Sequence, residues 1–291
     1  MSSAASLKPQ RVEFFCQDGV ALAGHFFSAG GVDKGLPVLI CPATGVKQHF
    51  YLRFAAWLAN QGHAVLVFDY RGIGLSLSGP LKNSRASLTQ WGQQDQVAAL
   101  TFLIERSGSA QAVLVGHSAG GQMMGLMSNH AQLARVVGVA ISSGWFSGMR
   151  AAFARQARFG LRVVMPLASA VLGYAPAAWL GLGENLPRAV GRQWGQWCAA
   201  GGYASNAVVG KPEQDFHAQI RMPVTAFYAQ DDDIANAVTV ADLLRTFPNA
   251  NKQAVCVEPA QFGLAALGHI DWFRSSHQAV WPLLAAAVRG E

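Results

Sequence analysis

Short apolar runs and stretches of helical periodicity alternate along most of the chain. Residues 38–41, 64–68, 111–115, 136–141, 222–229 and 253–258 are mostly apolar, as strands buried on both faces must be. Between them, 51–60, 88–104 and 120–130 carry apolar residues at helical spacing, with Gln61-Gly62 as one stop signal and Ser87 as one start. Ahead of the first run, 11–16 and 20–27 flank Asp18-Gly19, a hairpin turn signal. The expected fold is therefore α/β, a mostly parallel eight-stranded sheet with helices on both faces. Right-handed crossovers then gather the loops at the carboxyl ends of the strands along one edge.

Regular alternation fails between residues 147 and 220. The expectation is a helical cap over 147–220, inserted into a core made of 1–146 and 221–291. This stretch carries seven basic residues (Arg150, Arg155, Arg158, Arg162, Arg188, Arg192, Lys211) against Glu184, Glu213 and Asp215, so it holds +4 of the chain's net +6. Residues 163–182 form a run of 20 without charge, long enough to cross a bilayer. Pro166, Gly173, Pro176 and Gly181 argue instead for two short broken helices.

The chemistry concentrates where the run 111–115 meets Gly116-His117-Ser118-Ala119-Gly120. A strand, an abrupt turn with serine at its apex and a small-residue helix start make a nucleophile elbow, because only small neighbours avoid a clash around so tight a turn. Its partners should follow in the order acid, then histidine. The run 222–229 leads into Asp231-Asp232-Asp233, and 253–258 precedes a loop containing Gly268-His269-Ile270-Asp271. Of eight histidines only His269 lies in the expected place; His117, inside the elbow, is expected to be structural or pocket-lining. Glu258 and Asp271 are weaker candidates for the acid, and Asp271 is better placed to cap a helix from Trp272 onward.

These motifs resemble the alpha/beta hydrolase superfamily, in its serine esterase and lipase branch with a helical cap. Residues 68–76 (Phe-Asp-Tyr-Arg-Gly-Ile-Gly-Leu-Ser) resemble the loop after the strand preceding the elbow, Trp91 to Asp95 the start of the next helix, and Trp194 to Cys198 a cap element of a poorly characterised bacterial subgroup. The resemblance spans roughly residues 11–290. It implies a Ser118–His269–acid triad, with Asp232 favoured because it lies three residues after Ala229, and Asp231 as the alternative. It also implies an oxyanion hole from the Ala119 N–H and a loop after the strand 38–41. Relatives commonly carry His-Gly in that loop; here Pro42-Ala43 replaces it, leaving Thr44 as the donor or Ala43 in its place.

The implied reaction is carboxylic ester hydrolysis through an acyl-enzyme, on a small and apolar substrate. Thioester, peptide or acyl-transfer chemistry would use the same triad, and a non-catalytic ligand-binding role is the alternative of a different class. A lid with Met165, Leu167, Val171, Leu172, Tyr174 and Trp179 facing the site would bury an acyl chain; rimmed by arginines, the same tract would suit an anionic membrane surface. Composition adds little: 51% hydrophobic and 13% charged suits one compact catalytic chain. No leader is visible in Met1 to Gln10, and Cys16, Cys41, Cys198 and Cys256 lack metal spacing, which suggests reduced packing residues in a cytoplasmic protein, two of them in buried strands. No cofactor, metal or nucleic-acid partner is expected, since the arginines lack a recognition motif and Gly72-Ile73-Gly74 lacks the rest of a dinucleotide fingerprint.

Overall fold

The computed structural model describes residues 8–31 and 35–291. The hairpin comprises β1 (Gln10–Phe15) and β2 (Ala21–Phe27). The parallel strands are β3 (Val38–Cys41), β4 (Val65–Phe68), β5 (Ala112–His117) and β6 (Leu133–Val139). After a small two-stranded ribbon, β7 (Tyr174–Ala175) with β8 (Leu186–Pro187), come β9 (Val224–Ala229) and β10 (Lys252–Val257). The main sheet has eight strands in the order β1-β2-β4-β3-β5-β6-β9-β10; β2 is antiparallel to both its neighbours, β1 and β4, and every other pair is parallel. This is the alpha/beta hydrolase fold.

The pleat divides the core between the two faces. Val38 and Ile40 of β3, with Val113 and Val115 of β5, pack beneath α1 (Leu52–Asn60) and the C-terminal helix Trp281–Arg289. Leu39, Leu66 and Leu114 point the other way, onto Leu100 and Leu103. Those two belong to a helical run that opens as α2 (Leu88–Gln90), passes through a π turn (Trp91–Asp95) and ends as α3 (Gln96–Ser107). Ser87 caps its start by accepting from the Gln90 N–H, and Gly108 in the left-handed region stops it.

Several expectations need correction. The helix expected over 120–130 is only the short α4 (Ala119–Gln122) followed by isolated turns; Gly120, Gly121 and Gly125 lower its propensity, and a Cβ at Gly125 would overlap the His217 ring. Residues 163–182 do hold two short helical pieces, the second a 3-10 turn (Ala177–Leu180) between Pro176 and Gly181, but Pro166 does not break the first. The chain runs helically from α5 (Ala151–Phe159) through a π turn (Gly160–Val164) into α6 (Met165–Leu172), so Pro166 sits just past the π turn, and the break falls at Gly173 in the left-handed region. No helix among the described residues is long and apolar enough to cross a membrane. Cys256 is exposed because β10 is an edge strand, whereas the other three cysteines are buried. Asp271 is not an N-cap; it begins a short 3-10 turn and pairs with Arg274.

Candidate active site

Strand β5 ends at His117, and the next residue turns back so sharply that Ser118 adopts φ 48° and ψ −121°. A non-glycine residue there carries about 1–3 kcal/mol of strain. Crowding explains the neighbours: a Cβ at Gly120 would overlap the carbonyl of Cys41 on β3, and one at Gly116 would overlap the backbone of Gly121. The elbow is thus wedged between adjacent strands, and Ser118 is thrust beyond the carboxyl edge of the sheet.

The loops after β9 and β10 meet it there. His269 Nε2 lies 3.0 Å from Ser118 Oγ, and His269 Nδ1 lies 2.7 Å from Asp232 Oδ2. The Asp232 side chain has no exposure, and its Oδ1 accepts from the N–H groups of Ile234 (2.7 Å) and Ala235 (2.9 Å). Asp231 serves the histidine loop instead, since its two oxygens accept from the N–H groups of Leu267 (2.9 Å) and Gly268 (3.0 Å), the residues leading into His269. Asp233 turns outward to Arg150, and Glu258 accepts from Gln261.

A buried chain of hydrogen bonds joins the loops from beneath. The Ala43 N–H donates to Tyr51 Oη (2.9 Å), Tyr51 Oη lies 2.8 Å from His117 Nδ1, and His117 Nε2 lies 2.8 Å from the carbonyl of His269. Only a protonated Nε2 can bond a carbonyl, so Nδ1 accepts from the tyrosine and every group in the chain is satisfied. Burial, helped by repulsion from His269, pushes His117 down to about 3, which keeps the ring neutral. His117 is therefore structural, and it ties the backbone of the His269 loop to the elbow. Tyr51 gave no sequence signal, because its partners lie 8 and 66 residues away.

Ala43, the alternative oxyanion donor, has its N–H committed to Tyr51. Among the described residues the Thr44 and Ala119 N–H groups have no hydrogen-bond acceptor, and both residues flank the serine. The Thr44 loop is braced from the insertion: Glu184 N–H donates to the Gly45 carbonyl (2.8 Å), and Glu184 pairs with Lys47 (2.9 Å).

Above Ser118 opens a cavity of about 640 Å³ with a mainly apolar wall, formed by Phe146, Met149, Phe153, Leu161, Leu180 and Trp194. None of the six tract residues expected to face the site lines it. Met165 is buried in the core, while Leu167, Val171 and Trp179 point outward. The correct wall was present in the sequence as the helical spacing Met149, Phe153, Ala157, Leu161, which lies N-terminal to the charge-free tract. No cluster of His, Cys, Asp or Glu able to hold a metal occurs among the described residues.

A model of the alpha/beta hydrolase family matches residues 36–283. The chain belongs to this family. It is 32% identical over 120 residues to the uncharacterized protein Rv2307c of Mycobacterium tuberculosis (strain ATCC 25618 / H37Rv); that match covers 38% of this chain and only 43% of the relative. Among solved structures, the hydrolase-family chain resembles DcsB, determined with a substrate analogue, at 16% identity and TM-score 0.64 over 97% of this chain and 98% of the other. It also resembles the Pyrococcus furiosus esterase Pf2001 at 16% identity and TM-score 0.60, over 96% and 90% of the two chains. At such identities the likeness speaks for the alpha/beta hydrolase fold alone.

Proposed function

We propose that the protein is a serine hydrolase that cleaves carboxylic esters through an acyl-enzyme, with residues 147–220 acting as its cap. The observation that carries this reading is the run of contacts from Asp232 through His269 to Ser118 Oγ, at the floor of an apolar cavity. His269 takes the Ser118 proton as Oγ bonds to the carbonyl carbon, and the resulting oxyanion is met by the N–H groups of Thr44 and Ala119. Collapse expels the alkoxide, which leaves as an alcohol with the proton from His269. Water then adds to the acyl group by the same route and releases the acid, restoring Ser118. Asp232 holds Nδ1 protonated, so that Nε2 faces the serine as a base. Esters are the substrate class taken in this proposal, and the structurally similar chains include esterases that share the fold. The apolar wall favours an acyl or alcohol part without charge, each buried methylene adding about 0.8 kcal/mol to binding.

A fluorophosphonate probe tests this reading. Ser118 should be labelled in the folded protein, the label should map to the peptide containing Ser118, and Ser118→Ala should take up none. A folded protein whose Ser118 resists the probe would be a binding protein on this fold and would refute the proposal.

A further inference from the structure

The helical run from α5 to α6 has two unlike faces. Phe153, Ala157 and Leu161 turn inward to the cavity. On the opposite face Phe159, Val163, Leu167 and Val171 stand 60%, 40%, 66% and 86% exposed. They recur every four residues, and the π turn over Gly160–Val164 reduces the angular drift of that spacing, so they form one stripe along the outside of the cap. Single exposed apolar residues are ordinary, but four in line on one helix are an unpaired surface.

The charges beside the stripe are of one sign. Arg155, Arg158 and Arg162 are exposed, and among the described residues no carboxylate pairs with them. The sequence has no Asp or Glu between Glu105 and Glu184. A second copy of this face would bring arginines against arginines without a carboxylate from either helix to answer them. An apolar stripe with a cationic border instead matches a surface that is negative outside and hydrocarbon just beneath.

We propose that the outer face of the cap helix docks on anionic lipid membranes, lying in the interface with Phe159, Val163, Leu167 and Val171 turned into the boundary of headgroups and acyl chains. The helix lies on the bilayer and does not cross it, in keeping with its length and charge. Its inner face stays over the cavity, so docking brings the cavity within one helix diameter, about 10 Å, of the lipid. Docking does not depend on the ester hydrolase reading, since none of the four stripe residues lines the cavity.

Vesicle co-sedimentation tests the proposal, with phosphatidylcholine vesicles compared against vesicles that also carry phosphatidylglycerol. The full chain should bind the anionic vesicles, weakly or not at all the neutral ones, and less as salt rises. Leu167→Asp with Val171→Asp should lower the partition coefficient at least about tenfold. Arg155→Gln with Arg162→Gln should lower it about fivefold per arginine. All four positions are exposed, so the variants should keep the parent melting temperature. Failure to bind anionic vesicles would overturn the proposal, as would binding unchanged in folded variants. A concentration-dependent dimer abolished by the Leu167/Val171 change, in protein that ignores vesicles, would overturn it in favour of a second copy.

Discussion

Replacing Asp232 by Asn separates positioning from packing more cleanly than any other single change. The Asp232 Oδ1 accepts from two backbone N–H groups, those of Ile234 and Ala235, so an Asn keeps its oxygen there and turns its NH2 toward His269. An NH2 facing Nδ1 demands the tautomer with its proton on Nε2, and that proton points at Ser118 Oγ. The ring then cannot accept the serine's proton. The expected loss in kcat is about 10⁴-fold, or ~5.4 kcal/mol of barrier, with the fold unchanged. Asp231→Asn provides the comparison. It removes one of the two bonds to the 267–268 backbone, because an NH2 cannot accept from an N–H, costs ~1 kcal/mol of loop stability, and should leave kcat within about tenfold. Steady-state kinetics on p-nitrophenyl butyrate, with melting curves on each variant, measures both. Near-parental turnover in Asp232→Asn alongside collapse in Asp231→Asn would refute the assignment of the acid.

Other changes probe the supports of the site. Gly120→Ala places a methyl against the Cys41 carbonyl and should destabilise by at least about 1–3 kcal/mol in urea titration; a neutral result would contradict the wedged elbow. His117 is neutral when folded and takes up a proton on unfolding below its ordinary 6.5, so its contribution to stability is full above that value and falls as pH drops toward 3. His117→Gln should therefore flatten the acid limb of stability by up to ~1.4 kcal/mol per pH unit, seen in urea titrations between about pH 4 and 6; an unchanged limb would contradict a buried neutral ring. Ala157→Phe should fill part of the cavity and shift the preferred acyl chain to shorter esters, and an unchanged preference would move the acyl site elsewhere.

The parts of this molecule legible in sequence are those fixed by local chemistry. Strands such as β3 follow from continuous apolar runs, and Ser118 is fixed by the small residues that a strained turn requires. Asp232 needed the family pattern, because three adjacent aspartates look alike until the backbone donors of Ile234 and Leu267 distinguish them. The Tyr51–His117 chain was invisible, since it depends on residues brought together only by the sheet. The stretch 147–220 misled for a different reason. Its longest charge-free stretch, 163–182, lines the cavity only from Leu180 onward; the helical wall comes from the periodicity of the preceding turns, where arginines interrupt the apolar run. Apolar content alone does not say which face of a helix is covered.

Ester turnover at Ser118 underlies the proposed function. Its most direct measurement is the hydrolysis of p-nitrophenyl esters from acetate to palmitate by the full chain and by Ser118→Ala. Turnover should vanish in Ser118→Ala and peak at a chain length the cavity can hold. Hydrolysis at equal rates by both proteins, or none at any length by a folded parent, would contradict it.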